Sequence, residues 1–216
     1  MRKLGFLITI ALLSVLAFSF SQSNKGNGFG SLLSDYDWSH LSGATVKTNG
    51  VQITPLNQSI IHQDGSAAQL NPPVYVRGPH LEISGDFEIK AIMQGMEDGA
   101  SLQLYGQVPV IYDEWRQERP SLRIDVSASR IEARIWDGNS SSPMDIRSYN
   151  VNLKNDVIVN FKRENGKIVF AIDGKTLGAM PDHNIFSNDT IWFGMDGSDK
   201  GDGWLLKDLQ ARAVNK

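Results

Sequence analysis

Hydrophobic and polar residues alternate with a period of two along most of this chain. Phe87, Ile89, Ala91 and Met93 alternate with Glu88, Lys90, Ile92 and Gln94, and Leu102 and Leu104 with Gln103 and Tyr105. Leu122, Ile124 and Val126 then alternate with Arg123, Asp125 and Ser127, and Ile131, Ala133 and Ile135 with Arg130, Glu132, Arg134 and Trp136. Val157, Val159 and Phe161 lead through "RENGK" into Ile168, Phe170 and Ile172. Side chains of a strand point alternately to its two faces, so each run is a strand with one apolar face. Asn49-Gly50 and Asn165-Gly166, with Asp-Gly pairs beginning at 64, 98, 137, 173, 196 and 202, punctuate the runs. These residues tolerate the positive φ of tight hairpins. Short strands with turn signals every ten or so residues predict an all-β fold, a two-sheet antiparallel sandwich of the jelly-roll kind.

Parity also divides the surface. With the aliphatic residues of these strands turned to the core, Gln103, Tyr105, Arg123, Asp125, Arg130, Glu132, Arg134 and Trp136 share the opposite face, open to solvent. Aromatic rings meet the C–H faces of sugars, and planar polar groups meet their hydroxyls, so this face is a candidate site for a polysaccharide or oligosaccharide. Pro109 and Pro120 bracket a longer link in which Tyr112, Trp115 and Arg116 wall one end, and Asp137 follows Trp136 at a strand end. The plain alternative is that these charges form cross-strand pairs that solubilise an exposed sheet. Trp38, Trp192 and Trp204 read as core or sheet-edge packing, and His40, His62, His80 and His183, with no paired spacing, as isolated solvated side chains.

Composition narrows the setting. Arg2 and Lys3 precede an uncharged apolar run from Leu4 to Phe20, with Ser19 and Ser21 flanking its end, the pattern of a signal peptide over residues 1–21. A retained N-terminal anchor is the rival reading, since the run approaches the length of a spanning helix. Residues 22–30 form a Gly/Asn-rich flexible lead, and residues 31–216 a single β-sandwich domain. The expected location is secreted or periplasmic, with no membrane contact after cleavage. No cysteine is present, so core packing alone holds the chain together. The 21 basic and 24 acidic residues are mixed rather than blocked, which offers no basic stripe for nucleic acid. Asn57, Asn139 and Asn188 begin Asn-x-Ser/Thr triplets, which matter only in a glycosylating host.

Five segments, "PPVYVRGPHLEISGDFEIKA", "ASLQLYGQVPVIYDEWRQERPSLRIDVS", "ARIWDGNSSSP", "VNFKRENGKIVFAIDGKTLGAMPD" and "IWFGMDGSDKGDGWLLKDLQARA", resemble in this order the concanavalin A-like lectin/glucanase superfamily, the laminin-G-like jelly rolls. Within it they are similar to the lectin-like modules attached to some bacterial xylanases of glycoside hydrolase family 10. The resemblance implies a concave sheet that in relatives often holds a glycan. Glucanases of the superfamily carry Glu-x-Asp-x-x-Glu or Glu-x-Asp-x-Glu on one strand, and no stretch here has either pattern; Glu132 is followed by Arg134 and Trp136. "YDEWRQE" offers Asp113, Glu114 and Glu118 in the link, and no G-x-S-x-G serves a triad. The leading reading is a noncatalytic carbohydrate-binding, lectin-like protein. The alternatives are a glycoside hydrolase or lyase of the same fold, and a protein-binding adhesion module.

The residues call for no cofactor other than calcium. Asp196, Asp199 and Asp202 recur every third residue in a Gly-rich loop, which is not EF-hand spacing. Two readings stay open: a turn built on Asp-Gly pairs, or a flexible oxygen cage for Ca2+.

Overall fold

The computed structural model describes residues 30–38, 43–54, 59–61, 67–69, 76–107, 120–127, 130–136, 145–152, 155–197 and 203–214. The elements are β1 (Gly30–Ser31), α1 (Leu32–Asp35), β2 (Ala44–Lys47), β3 (Gly50–Ile53), β4 (Ser59–Ile61), β5 (Ala67–Gln69), β6 (Val76–Glu82), β7 (Phe87–Gln94) and β8 (Ser101–Tyr105), then β9 (Ser121–Ser127), β10 (Arg130–Trp136), β11 (Asp145–Asn150), β12 (Asp156–Glu164), β13 (Lys167–Ile172), β14 (Lys175–Pro181), β15 (Thr190–Asp196) and β16 (Trp204–Ala213). One sheet runs β14-β13-β12-β7-β16-β3-β2 with β1 also on β16; the other runs β11-β10-β9-β8-β15-β6. β4 and β5 pair with each other, and every strand pair is antiparallel.

The aliphatic residues of both sheets meet in one core. Phe87, Ile89, Ala91, Met93, Val159, Phe161 and Phe170 come from the eight-stranded sheet, and Leu102, Leu104, Ile124, Ile131, Ala133, Ile135 and Phe193 from the six-stranded one. The two-residue period therefore assigns the buried face of each strand correctly. Two of the hairpin signals hold as well: Asn165-Gly166 turns β12 into β13 with φ of 52° and 71°, and Asp173-Gly174 turns β13 into β14 with 49° and 78°, whereas Asp98-Gly99 and Asp196-Gly197 lie where the chain passes between the two sheets. The four-residue α1 was not legible in the alternation; Ser31 caps it, its Oγ accepting from Ser34 N at 3.4 Å.

Two of the tryptophans expected in the core are there. Trp204 is fully buried, and Trp38 is nearly so, its indole N–H donating to Leu33 O at 3.0 Å. On one flank the sheet edges β11 and β14 are tied together. Arg147 donates to Ala179 O at 3.4 Å, and the Lys175 ammonium lies 5.0 Å from the Tyr149 ring centroid.

Candidate functional site

The outer face of the six-stranded sheet carries the predicted polar set, and the strand register orders it into three bands running across the strands. Residues directly opposite in an antiparallel pair share a face, so each band follows from the pairing alone. Glu132 on β10 faces Asp125 on β9, which faces Ser101 on β8, and Ser101 pairs with position Asp196 on β15. One step along the strands, Arg134, Arg123, Gln103 and Gly194 stand abreast. A further step brings Trp136, Ser121, Tyr105, Trp192 and His80 into line across β10, β9, β8, β15 and β6. The face thus grades from carboxylate through guanidinium and amide to aromatic.

Contacts within the bands are dense. Arg134 Nε donates to Glu132 at 3.0 Å and lies 3.4 Å from Asp125, whose other oxygen is 3.5 Å from Arg123 Nε. Arg130 approaches the second oxygen of Glu132 at 2.7 Å. Two carboxylates are therefore shared among three guanidinium groups. Along β8, the Gln103 amide donates to Ser101 Oγ at 2.7 Å, and its carbonyl accepts from the Tyr105 hydroxyl. The Arg123 guanidinium lies 5.9 Å from the Trp136 ring centroid, within cation–π range. Trp192 and His80 stack, with ring centroids 4.4 Å apart and planes 20° from parallel.

The expectation that this face looks into open solvent is corrected. Gln103 is 1% exposed, Glu132 6% and Tyr105 8%, and Ser101 and Ser121 are also buried; Arg123, Asp125, Arg134 and Trp136 are half-buried. Burial is deepest on β8 and relaxes toward β11, where Ile146 is exposed. An amide or carboxylate removed from water must find partners, which is why hydrogen bonds and ion pairs crowd here. The buried Trp136 Nε1 departs from that rule, with no hydrogen-bond partner among the described residues.

Gln103, Tyr105, Arg123, Asp125, Arg134 and Trp136 are thus brought together as the period implies. Trp192 takes the sheet-edge alternative rather than the core, lying half-buried on the polar face opposite Tyr105 and beside the edge strand β6. Its signal was present: Ile191, Phe193 and Met195 are core residues, so Trp192 takes the other parity. His80 is not a solvated loop side chain but sits half-buried in β6 against Trp192. Ser101, Ser121 and Gly194 were missed because small residues carry no chemical flag.

Tyr112, Trp115, Arg116, Asp137, Asp199 and Asp202 lie outside the described residues. Asp196 closes β15 rather than standing in the following loop. Among the described residues, no three His, Asp or Glu side chains are grouped as metal ligands, and no helix is long and apolar enough to cross a membrane.

A scan against protein-family models gives no match, and neither does a search of curated proteins. Solved structures do match. The exoplasmic/lumenal domain of VIP36 in its Ca2+/Man3GlcNAc-bound form aligns with a TM-score of 0.57 at 10% identity, covering 88% of this chain and 91% of that one. A legume lectin-like domain from Entamoeba histolytica aligns at 0.52 and 16% identity, covering 81% and 89%. The carbohydrate recognition domain of Emp46p in its metal-free form aligns at 0.56 and 10% identity, covering 86% and 96%. The fold is a legume-lectin-like sandwich. The concanavalin A-like architecture read from the sequence is the one observed, while the finer likeness to xylanase-associated modules stays with the sequence resemblance. At these identities the match carries the architecture and leaves the chemistry to the residues of this chain.

Proposed function

We propose that this protein is a noncatalytic carbohydrate-binding module that holds a glycan on the polar face of the six-stranded sheet. The observation that carries the reading is the banded array on a face that does not contribute to the core. Buried ion pairs add little net stability, because desolvation offsets the Coulomb gain, so three arginines gathered on two carboxylates are poorly explained by folding alone. The same groups suit sugar. The guanidinium and carboxylate groups of half-buried Arg123, Asp125 and Arg134 exchange hydrogen bonds with hydroxyls, and the half-buried Trp136 supplies a ring for C–H faces. The fold supports the reading, since its solved examples include a domain bound to Man3GlcNAc and another described as a carbohydrate recognition domain.

A hydrolase has less to work with. Retaining or inverting hydrolysis needs one carboxyl group free to give up a proton, whereas Asp125 and Glu132 each lie between arginine side chains. Export through the N-terminal signal belongs to the same proposal, as does calcium. Asp196, Asp199 and Asp202 would supply oxygen ligands, and the VIP36 domain is known in Ca2+-bound and metal-free forms.

Affinity electrophoresis through gels containing soluble polysaccharides, run with calcium and with a chelator, tests the reading. Retardation by at least one polysaccharide, lost in Trp136→Ala while the far-ultraviolet circular dichroism stays unchanged, is the expected outcome. Retardation that persists in Trp136→Ala places the glycan elsewhere, and reducing-sugar release from the gel polysaccharide makes the protein an enzyme instead.

A further inference from the structure

We infer that Arg147 is a built-in block to edge-to-edge association, closing one flank of the sandwich against a strand from a second copy of this chain. The inference is independent of the carbohydrate-binding reading. A strand at the end of a sheet presents unpaired N–H and C=O groups to which another strand can add. The strand orders here end at β2 and β14 in the eight-stranded sheet and at β6 and β11 in the six-stranded one. β2 is only four residues long, and β6 carries Pro79 and meets β15 with a register shift, so both are poor templates. β11 and β14 are longer, six and seven residues, and neither has a proline before the terminal Pro181 of β14. These two edges need another safeguard.

Arg147 pairs with Ala133 and Tyr149 with Ile131, both fully buried core residues, so the parity of β11 turns Arg147 and Tyr149 inward. An inward-pointing charge on an edge strand is one of the ways sheets resist addition. The guanidinium bridges the rim, Nη1 donating to Ile146 O at 2.8 Å and Nη2 to Ala179 O at 3.4 Å, one carbonyl from each edge strand. The neighbouring hairpin fixes the direction of the second carbonyl. Glu164 and Lys167 close the Asn165-Gly166 turn, so Lys167 and Val169 bond to β12, while Ile168 and Phe170 bond to Met180 and Gly178. Ala179, between those two, turns its N–H and C=O away from β13. Its carbonyl is the group an added strand would use.

The surroundings fit the side chain to this place. Gly178 has a φ of 139°, and a Cβ there would lie 3.4 Å from Arg147 Nε, so the glycine lets the guanidinium lie close along β14. Phe170 pairs with Gly178 but Ala171 with Thr176, which leaves Leu177 as an extra residue, partly buried against the core. Such a bulge bends the edge strand. Lys175 adds a second cation at the same seam, its ammonium 5.0 Å from the Tyr149 ring centroid. A strand extending the eight-stranded sheet beyond β14 would have to displace Arg147 from Ala179 O and then lie beside both cations. A second copy is the strand most directly excluded, because it brings edges of the same length and composition.

Size exclusion with light scattering, run on the exported protein at rising concentration, tests the inference. Arg147→Ala is expected to reach a particle mass at least about twice that of the wild type while its far-ultraviolet circular dichroism stays unchanged. Ala179→Pro removes the outward N–H without breaking a bond to β13. In the double variant Arg147→Ala/Ala179→Pro the mass is therefore expected to return to the wild-type value, which aggregation through lost stability alone would not do. Equal masses for Arg147→Ala and the wild type at every concentration overturn the inference. A double variant that stays enlarged also overturns it, since association then runs through another surface. Should Arg147→Ala fail to fold, Arg147→Gln, which keeps part of the stem and is too short to bridge both carbonyls, decides by the same two criteria.

Discussion

Glu88, on the outer face of the eight-stranded sheet, shows how a charged residue is retained away from the candidate site. Burial on its own would raise its pKa. Hydrogen bonds from Asn160 at 2.7 Å and Arg212 at 2.8 Å, with the charges of Arg212 and Lys162, outweigh burial and hold it below its ordinary value of 4.5. A carboxylate depressed in the folded state contributes stability that is fully present above its unfolded pKa and is lost as pH falls through the folded one. Melting temperature measured against pH is therefore expected to fall below about pH 4.5, with a shallower acid limb in Glu88→Gln. An unchanged limb in that variant would remove Glu88 from the account. Asp182 makes the complementary case. It is buried, accepts from Arg163 Nε at 2.7 Å and from Asn184 N at 3.0 Å, and so ties β12 to the turn after β14. Asp182→Ala takes the carboxylate from Arg163 Nε, while Arg163 Nη1 keeps its bond to Gly85 O at 2.7 Å, and is expected to cost about 1–3 kcal/mol in urea denaturation. A loss below about half a kcal/mol would show that water replaces the carboxylate.

At the scale of elements, the alternation of residue types was enough to read the strands and their inward faces, because a two-residue period leaves no freedom about which side chains share a face. Gln103, Arg123, Arg134 and Trp136 were found in this way. The bands they form were not legible, since a band needs the register between strands. β9 and β10 are neighbours in sequence, and their pairing could be guessed from the short link between them. β8 and β15 are separated by more than eighty residues, so nothing local announces that Tyr105 and Trp192 stand opposite one another. Burial of the outer face was likewise invisible to periodicity, which reports alternation and not depth. Close packing supplies a further constraint that only the fold shows. A Cβ on Gly106, directly after β8, would lie 1.7 Å from the carbonyl oxygen of Ile185, and Asn188 donates to the Gly106 carbonyl at 3.3 Å. Gly106→Ala must push the 183–189 turn away from the end of β8, which also carries Tyr105. The expected loss is at least about 3 kcal/mol by denaturant unfolding, and a variant as stable as the wild type would mean that this turn moves freely.

The whole molecule joins two sheets with different duties. The eight-stranded sheet pairs its inward face with a back surface of dispersed charge, where Lys90 and Lys162 stand beside Glu88, Asn160 and Gln210. The six-stranded sheet shares the core but devotes its other side to ordered aromatic, amide and ionic groups. For the chain as a whole, expression in a secreting host is expected to yield a protein whose N-terminal sequencing begins at Gln22, and retention of residues 1–21 would favour the anchored alternative. The asymmetry between the sheets is the central claim, and a glycan array probed with the wild type and with variants of both sheets tests it most directly. The account predicts that the wild type binds at least one glycan, that Arg134→Ala and Trp136→Ala lose that signal, and that Lys90→Ala on the opposite sheet retains it. An array without a bound glycan, or one whose signal depends on Lys90 and not on Arg134 or Trp136, would contradict it.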